Sequence, residues 1–218
     1  MKTAAKTKSK TTMTTQLRNL SEYLIETLNQ IDSERKTILE SIAMSISDQI
    51  RSQGASKLIF ICTHNSRRSQ FAQVWTEFAS SLFDLDQVQS FSGGTEATAV
   101  SENVIDSLDR FGFEHVKEVE GSNPFYRVEL SPQRSFHLFS KKYEHPENPQ
   151  NGFIAVMVCS DADRGCPMVF GCSERFSLPF DDPKEFDNTE IVGEMYDKRS
   201  MEIGREILYI MSKVNNDK

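Results

Sequence analysis

The stretch LIFICTHNSRRSQFAQVW, residues 58–75, joins an apolar run ending in a cysteine to a polar loop with two arginines. Such a continuous apolar run is typical of a strand covered on both faces in a parallel sheet. The apolar residues that follow recur at helical spacing: Phe71, Trp75, Phe78 and Leu82. The stretch therefore predicts a strand that ends at Cys62 and a helix that begins near Arg68.

The chain continues as an alternation of short apolar strands and amphipathic helices. Further strands are predicted at QVQSFS (87–92), SFHLFS (135–140) and FIAVMVCS (153–160). The alternation predicts an α/β fold, a doubly wound, flavodoxin-like sheet of about four parallel strands flanked by helices. Ligands of such folds bind beyond the carboxyl ends of the strands, where the strand order reverses. Two of the predicted strands end there in a cysteine, Cys62 and Cys159.

Two shorter units precede the predicted catalytic domain at 55–218. Residues 1–15 are basic and polar, which predicts a disordered tail. Residues 16–54 predict a helical hairpin with Asp32 or Ser33 capping its second helix. Its two apolar stripes are Leu17, Leu20, Leu24, Leu28 and Ile31, and then Ile38, Leu39, Ile42, Ile46 and Ile50. The stripes suit packing on the domain or on a second copy, so we expect a dimer through these helices as one use of them.

Bulk composition narrows the class of protein. The net charge of −7 over 218 residues gives no general attraction to nucleic acid or to anionic membranes. No apolar run approaches the roughly 20 residues that a membrane-spanning helix needs, and the N-terminus lacks the apolar core of a secretory signal. Four scattered cysteines in a chain of this length favour a reducing, cytoplasmic setting, and their spacing does not match a zinc site, so we expect no metal.

The residues from Cys62 to the start of the helix have the composition of an anion site. Backbone N–H groups at a helix N-terminus and the helix dipole both favour negative charge, which also stabilises a thiolate on Cys62. Arg68 can offer a planar, bidentate fork to two anion oxygens, and Ser69 can donate to the thiolate. Asn65 suits a left-handed turn. We expect the substrate to be bound by Thr63, His64, Asn65, Ser66, Arg67 and Ser69 together with Arg68.

The spacing of Cys62, five residues, Arg68 and Ser69 resembles the C-x5-R-S loop of the low-molecular-weight protein tyrosine phosphatase superfamily. Within it, FICTHNSRRSQ is most similar to the thioredoxin-coupled arsenate reductases. The resemblance covers about residues 57–212. It implies an enzyme with a cysteine nucleophile and an oxyanion substrate, and it needs no cofactor beyond thioredoxin as electron donor.

An acidic loop and a second pair of cysteines extend the resemblance. FSLPFDDPKEFD offers Asp181 and Asp182, and the Asp-Pro dipeptide favours Asp182 as the proton donor. CSDADRGCP resembles the redox segment of the reductases, and its polar interior predicts a short mobile loop between Cys159 and Cys166. In the reductases, the cysteine that matches Cys159 attacks the nucleophile's adduct, and the one that matches Cys166 resolves the disulfide. Cys172 has no counterpart there and is interpreted as structural.

Three functions stay open at this point. The first is a thioredoxin-dependent arsenate reductase, which needs Cys62, Cys159 and Cys166. The second is a phosphatase of the same fold, acting on phosphotyrosine or another phosphomonoester, which needs only Cys62, Arg68 and an acid. The third is a binding module for phosphoanions or for partner helices, without catalysis. The intact cysteine, arginine and acid favour an enzyme, and the later cysteines favour the reductase.

Overall fold

Six α-helices form in the parts of the chain that the computed structural model describes, which are residues 14–132, 134–166 and 168–214. They are α1 (Thr15–Glu26), α2 (Ser33–Gln53), α3 (Arg68–Leu82), α4 (Glu102–Phe111), α5 (Ser160–Gly165) and α6 (Val192–Lys213). Short 3₁₀ helices cover Leu28–Gln30 and Pro183–Phe186. In these described parts no helix combines the length and the apolarity needed to cross a membrane.

Seven strands form two separate sheets in the same described parts of the chain. The strands are β1 (Ser56–Cys62), β2 (Val88–Gly94), β3 (Glu114–Val119), β4 (Phe125–Ser131), β5 (Arg134–Leu138), β6 (Phe153–Met157) and β7 (Cys172–Ser177). One sheet has the order β2-β1-β6-β7, and all of its pairs are parallel. The other has the order β3-β4-β5 and is antiparallel. The expected α/β sheet of about four parallel strands is therefore confirmed.

The strand order of the parallel sheet reverses between β1 and β6. From β1 the chain crosses to β2 on one side, and it later returns to β6 on the other side. The carboxyl ends of both strands lie together, because Val158 N donates to Ile61 O (2.8 Å) just beyond the paired residues. This crevice is where a doubly wound sheet binds its ligand. Cys62 ends β1 and Cys159 follows β6, so both thiols lie at its edge.

The fourth parallel strand is β7, which the sequence did not mark as a strand. Its residues CSERFS have no apolar run, because β7 is the edge of the sheet and all of its side chains are exposed or half-buried. The exposed flank is covered in part by α2, since Ser45 Oγ donates to Glu174 Oε1 (2.7 Å). An edge strand of this kind lacks the continuous pattern that identified β1 and β6, where both faces are buried.

SFHLFS was predicted as a strand of the alternating parallel series, and its sheet was predicted wrongly. Residues 134–138 form β5, which pairs antiparallel with β4. The chain turns from Ser131 to Arg134, which is too short a connection for a parallel crossover. In addition, β4 alternates buried and half-buried residues, which is typical of a sheet with one face on the core.

The N-terminal helices pack on the rest of the chain. Asp32 caps α2 and accepts from Arg35 N (2.8 Å), as one of the two expected caps. Residues 1–13, most of the predicted disordered tail, lie outside the described residues, and α1 begins at Thr15. The buried members of the two apolar stripes belong to the same core as the sheet: Leu17, Leu24, Ile31, Leu39, Ile42 and Ile46. These side chains are therefore used within the chain itself.

Candidate active site

The loop between β1 and α3 turns its carbonyl groups away from its centre. Five consecutive carbonyl oxygens accept hydrogen bonds from the surrounding framework. The donors are Thr95 N to Cys62 O (3.1 Å), Glu96 N to Thr63 O (2.8 Å), Ser140 Oγ to His64 O (2.8 Å), Gln70 Nε2 to Asn65 O (2.8 Å) and Ser101 N to Ser66 O (3.1 Å). Because the carbonyl groups are bonded outward, we expect the N–H groups of the loop to face its concave side at the start of α3. This arrangement is an anion cradle.

The thiol of Cys62 lies at the base of this cradle. Its Sγ is 3.1 Å from Ser69 Oγ, and its residue is 3% exposed. Asn65 Nδ2 donates to the same Ser69 oxygen (2.9 Å), which leaves the Ser69 proton for the sulfur. Asn65 has a φ of 46°, the left-handed turn expected of it, and its Oδ1 accepts from Lys141 N (2.8 Å).

Close approach to a glycine fixes the back of the loop. A Cβ placed on Gly94, at the end of β2, would lie 2.7 Å from Thr63 O and 2.8 Å from Asn65 N. Both neighbours are backbone atoms, which cannot move aside as a flexible side chain can. The loop therefore needs glycine at this position, although nothing in the sequence analysis singled it out.

Arg68 links the cradle to the acidic loop, which we define as residues 178–187. Its Nη1 donates to Phe180 O (2.9 Å), and its Nη2 lies 2.5 Å from Asp182 Oδ2. Its Nε is buried and has no hydrogen-bond partner among the described residues. An unpartnered buried donor costs free energy unless something binds it, so this atom is suited to an anion oxygen.

The two candidate acids lie in different surroundings. Asp182 approaches Arg68, and its Oδ1 accepts from Lys184 N (3.1 Å) at the start of the 3₁₀ helix. The side chain of Asp181 is 87% exposed and lies 3.3 Å from Arg199. Only Asp182 is joined to the cradle in the structure, which agrees with the preference for it over Asp181.

Arg67 holds the far end of the acidic loop. Its Nε donates to Tyr196 Oη (2.7 Å), and its Nη2 donates to Asp187 Oδ2 (3.0 Å). Burial alone would lower the pKa of Arg67, but the bond and charge of Tyr196 and the charges of Asp182 and Asp187 raise it above its ordinary value. Tyr196 also donates to Asp187 Oδ1 (2.7 Å). The guanidinium is thus occupied by α6 and the acidic loop, although Arg67 was expected among the substrate-binding residues.

The other predicted substrate-binding side chains have separate neighbours. His64 is 44% exposed in its side chain and lies 3.6 Å from Glu96. Ser66 is buried. Thr63 Oγ1 lies 3.5 Å from Cys159 Sγ, so it faces the second strand end. The structure thus places the side chains of His64 and Thr63 against Glu96 and Cys159.

The segment after β6 is a helix and not the mobile loop predicted for it. Residues 160–165 form α5, which begins at Cys159 because Cys159 Sγ accepts from Ala162 N (3.3 Å). Asp163 fixes the helix to β7 through Arg175 (2.6 Å) and Ser177 (2.7 Å). The polar residues that suggested a loop thus serve as helix caps and anchors. Pro167, the last residue of the segment's resemblance, lies outside the described residues.

All four cysteines are free thiols. Cys159 is completely buried, whereas Cys166 is half-buried and its Sγ donates to Met168 O (3.2 Å). Cys172 donates to Val169 O (3.0 Å), and burial raises the pKa of its thiol. Among the described residues, no group of three histidine, cysteine or acidic side chains is arranged to hold a metal ion.

Two residues beneath the cradle were not expected from the sequence. Gln70 is buried and donates to both Asn65 O and Phe139 O, which ties the loop to the segment after β5. Lys141 is 4% exposed, and burial lowers the pKa of its ammonium group to about 8. Gln70 directly follows Ser69 in the sequence, whereas Lys141 is brought to the loop only by the fold.

Comparison with known proteins gives relatives in sequence and in structure. No protein-family model matches the chain. Arsenate reductase 2 of Staphylococcus epidermidis is 29% identical over 126 residues, which are 58% of this chain and 77% of the relative. A low-molecular-weight protein tyrosine phosphatase from T. tengcongensis superposes with a TM-score of 0.50 at 15% identity, over 73% of this chain and 99% of the other. A YwlE mutant from Bacillus subtilis gives 0.51 at 14% identity, over the same shares.

A doubly wound parallel sheet with a cysteine-arginine anion cradle at its switch point defines an oxyanion enzyme of the phosphatase and arsenate reductase kind. The chain has the fold of the low-molecular-weight protein tyrosine phosphatases, and arsenate reductases are among its sequence relatives. The resemblance carried by Cys62, Arg68 and Ser69 agrees with this fold and with these sequence relatives.

Proposed function

We propose that the protein is an arsenate reductase that passes its oxidising equivalents from Cys62 to Cys159, to Cys166 and then to thioredoxin. One observation favours a reductase over a phosphatase. Cys159 is buried at the switch point with its Sγ 3.5 Å from Thr63 Oγ1, the residue next to Cys62. A phosphatase needs no second thiol there. The arsenate reductases among the sequence relatives support the same choice.

The first step proposed is attack by the Cys62 thiolate on the arsenic of arsenate. The anion is held by the loop N–H groups and Arg68, whose free Nε adds a donor. A sulfur–arsenic bond forms, and one arsenate oxygen leaves as water after protonation. Asp182 is placed beside Arg68 and is the proposed proton donor.

The second step is attack by the Cys159 thiolate on Cys62 Sγ. The sulfur–arsenic bond breaks and its electron pair stays on arsenic, which leaves as arsenite in the +3 state. A Cys62–Cys159 disulfide remains. The register of β1 with β6 supports this pairing, since neighbouring parallel strands lie about 4.8 Å apart and both thiols follow the strand ends.

The third step moves the disulfide away from the site. Cys166 attacks Cys159 Sγ, Cys62 leaves as a thiolate, and a dithiol of thioredoxin reduces the Cys159–Cys166 disulfide. The six residues of α5 separate these cysteines by about 10 Å along a helix, whereas disulfide Cα atoms lie about 6 Å apart. We therefore propose that α5 unwinds in this step, and that Asp163 is released from Arg175 and Ser177.

The experiment compares two activities in wild type and in the Cys166→Ser variant. Arsenate turnover with thioredoxin and its reductase should be present in wild type and should fall to background in the variant. Aryl phosphate hydrolysis, if present, should be unchanged by the substitution. Cys172→Ser is the matched control and should keep arsenate turnover. Fast hydrolysis of an aryl phosphate with no arsenate turnover in wild type would contradict the reductase proposal.

The second candidate is a phosphatase of the same fold. The observation in its favour is that Cys62, Arg68 and Asp182, the three groups that ester hydrolysis requires, are already joined in one site. A phosphocysteine on Cys62 would form and then be hydrolysed by water. This candidate predicts fast hydrolysis of an aryl phosphate with no arsenate turnover in wild type, which is the result that contradicts the reductase.

The remaining expectations belong to the same proposal. Thioredoxin is the proposed electron donor, with no further cofactor, and a reducing cytoplasm is the setting that would keep the four thiols free. The expected dimer through the N-terminal helices stays a prediction. Its basis is weakened, because the apolar stripes that suggested it are buried in the chain's own core.

A further inference from the structure

The acidic loop determines the orientation of Arg68 as much as Arg68 determines that of the loop. Two guanidinium nitrogens of Arg68 are committed to this loop, one to the carbonyl of Phe180 and one to the carboxylate of Asp182. A shift of residues 180–182 would therefore turn the fork that faces the anion. Whatever fixes the backbone just before Asp182 acts on both the anion-binding group and the proposed proton donor.

The N-terminal extension reaches this backbone through Arg35. Arg35 Nη2 donates to Pro179 O (3.1 Å), and the guanidinium carbon lies 4.8 Å from the centre of the Phe180 ring. These two contacts hold consecutive residues, directly before Asp181 and Asp182. Arg35 is thus connected to Arg68 through one residue, Phe180, which both arginines contact.

Arg35 is itself held on both sides. Its Nε donates to both carboxylate oxygens of Glu206 in α6, at 2.8 and 3.0 Å. The side chain of Glu206 is 8% exposed, and burial raises the pKa of this carboxyl while Arg35 opposes the rise. The backbone N–H of Arg35 is bound by the cap residue Asp32. The backbone N–H and the guanidinium of Arg35 are therefore both held independently of the contacts with the acidic loop.

Arg205 in α6 offers a comparison with Arg35. Arg205 also joins the extension to α6, because its Nε donates to Thr27 Oγ1 (3.0 Å), but no hydrogen bond of Arg205 reaches residues 178–187 in the described part of the chain. The two arginines line the same cleft between the extension and α6. They differ in whether they contact the acidic loop.

We infer that Arg35 is a positioning residue for the active site: through Pro179 and Phe180 it holds the acidic loop in the place from which Arg68 grips the oxyanion and Asp182 gives its proton. The inference gives a role in the reaction to residues 16–54, which lie outside the resemblance to the family. It rests on the proposed function only in that Cys62, Arg68 and Asp182 act on an oxyanion, and it holds for either the reductase or the phosphatase.

The first test measures oxyanion binding without turnover. Phosphate is titrated against the alkylation of Cys62 by iodoacetamide, followed on the peptide that carries Cys62, in wild type, Arg35→Gln, Arg35→Lys and Arg205→Gln. We expect the phosphate concentration for half-protection to rise about 10-fold in Arg35→Gln, since small misplacements of a binding group have effects of this order. Arg35→Lys, which keeps the charge beside Glu206 but cannot also bind Pro179 O, should restore only part of the affinity. Arg205→Gln should equal wild type.

A second readout separates positioning from general loss of structure. The double variant Arg35→Gln/Glu206→Gln removes the buried carboxylate that Arg35→Gln would leave without its cation, so it should fold and still bind phosphate weakly. In each variant that hydrolyses aryl esters, the loss should be larger for phenyl phosphate than for para-nitrophenyl phosphate, because the poorer leaving group depends more on its proton donor.

The outcomes distinguish this inference from the proposed function. Equal protection of Cys62 in wild type, Arg35→Gln and the double variant would overturn the role of Arg35. The same weakening in Arg205→Gln as in Arg35→Gln would also overturn it, because the effect would then belong to the extension as a whole. No protection of Cys62 by phosphate or arsenate in wild type would instead contradict the oxyanion site itself.

Discussion

The two cysteine-bearing segments at the switch point are built in opposite ways. The loop from Cys62 to Arg68 is fixed on all sides, with five carbonyl groups bonded outward and its thiol buried. The segment after Cys159 is a single short helix, followed by Met168 and Phe170, which are 67% and 75% exposed. The first region is preorganised to hold charge, whereas the second is a short helix held to β7 through Asp163. The difference suits a site where one thiol stays in place while another travels.

The largest effect is expected from removal of the nucleophile in the fixed region. Cys62→Ser should lower arsenate turnover and any aryl phosphate hydrolysis by about 10⁴-fold or more, because a serine hydroxyl is a much weaker nucleophile at neutral pH. Turnover assays of both activities measure it. The fold should be unchanged, since serine is nearly isosteric. Substantial activity in this variant would mean that another residue starts the reaction.

The next effect concerns the geometry of the anion fork. Arg68→Lys keeps the positive charge but cannot bond Phe180 O and Asp182 together and still offer a planar pair of donors. We expect a loss of about 10²–10³-fold in kcat/KM, as for removal of one preorganised donor from an oxyanion site. Steady-state kinetics test this. A loss below about 3-fold would show that a point charge is enough.

A smaller effect should separate the two neighbouring aspartates. Asp182→Asn should lower kcat by about 10²-fold, the lower range for a general acid. Asp181→Asn is the matched control and should stay within about 2-fold, since its side chain is exposed and pairs with Arg199 at the surface. Measurement of kcat for both variants decides between them. A larger loss in the Asp181 variant would reverse the assignment.

The last effect is on stability rather than on activity and concerns the framework around the fixed loop. Burial lowers the pKa of Lys141 from 10.5 to about 8, so the folded chain binds fewer protons than the unfolded chain between these values. The free energy of unfolding therefore gains from this group as the pH rises through that window. Lys141→Met should be more stable than wild type at pH 7 by about 3 kcal/mol, at about 1.4 kcal/mol for each pKa unit.

The check on Lys141 is the pH dependence of the difference. Denaturant unfolding of wild type and Lys141→Met at pH 7, 9 and 10.5 should give a difference in unfolding free energy that shrinks toward zero as the pH rises. The backbone N–H of residue 141 still bonds Asn65 in the variant, so the loop itself is retained. A constant difference across this range would mean that burial does not lower the pKa of the Lys141 ammonium group.

The same contrast explains what the sequence could predict. The fixed loop is local in sequence, so Cys62, Asn65, Arg68 and Ser69 were identified from one stretch, and β1 and β6 from their apolar runs. The edge strand β7 was missed because one flank is exposed, and β5 was assigned to the wrong sheet because its short connection to β4 was not weighed. Partners supplied by distant segments had no local pattern at all: Arg35, Gly94, Lys141, Asp187 and Tyr196.

The central claim is that Cys159 and Cys166, in the segment after β6, take over the oxidation that begins at Cys62 in the fixed loop. The most direct measurement is a single turnover with arsenate in the absence of thioredoxin, followed by acid quench, alkylation and mass spectrometry of the disulfides. We predict a Cys159–Cys166 disulfide in wild type and a Cys62–Cys159 disulfide in Cys166→Ser, each with one arsenite released. Release of arsenite with neither disulfide, or all four thiols still free after exposure to arsenate, would contradict the account.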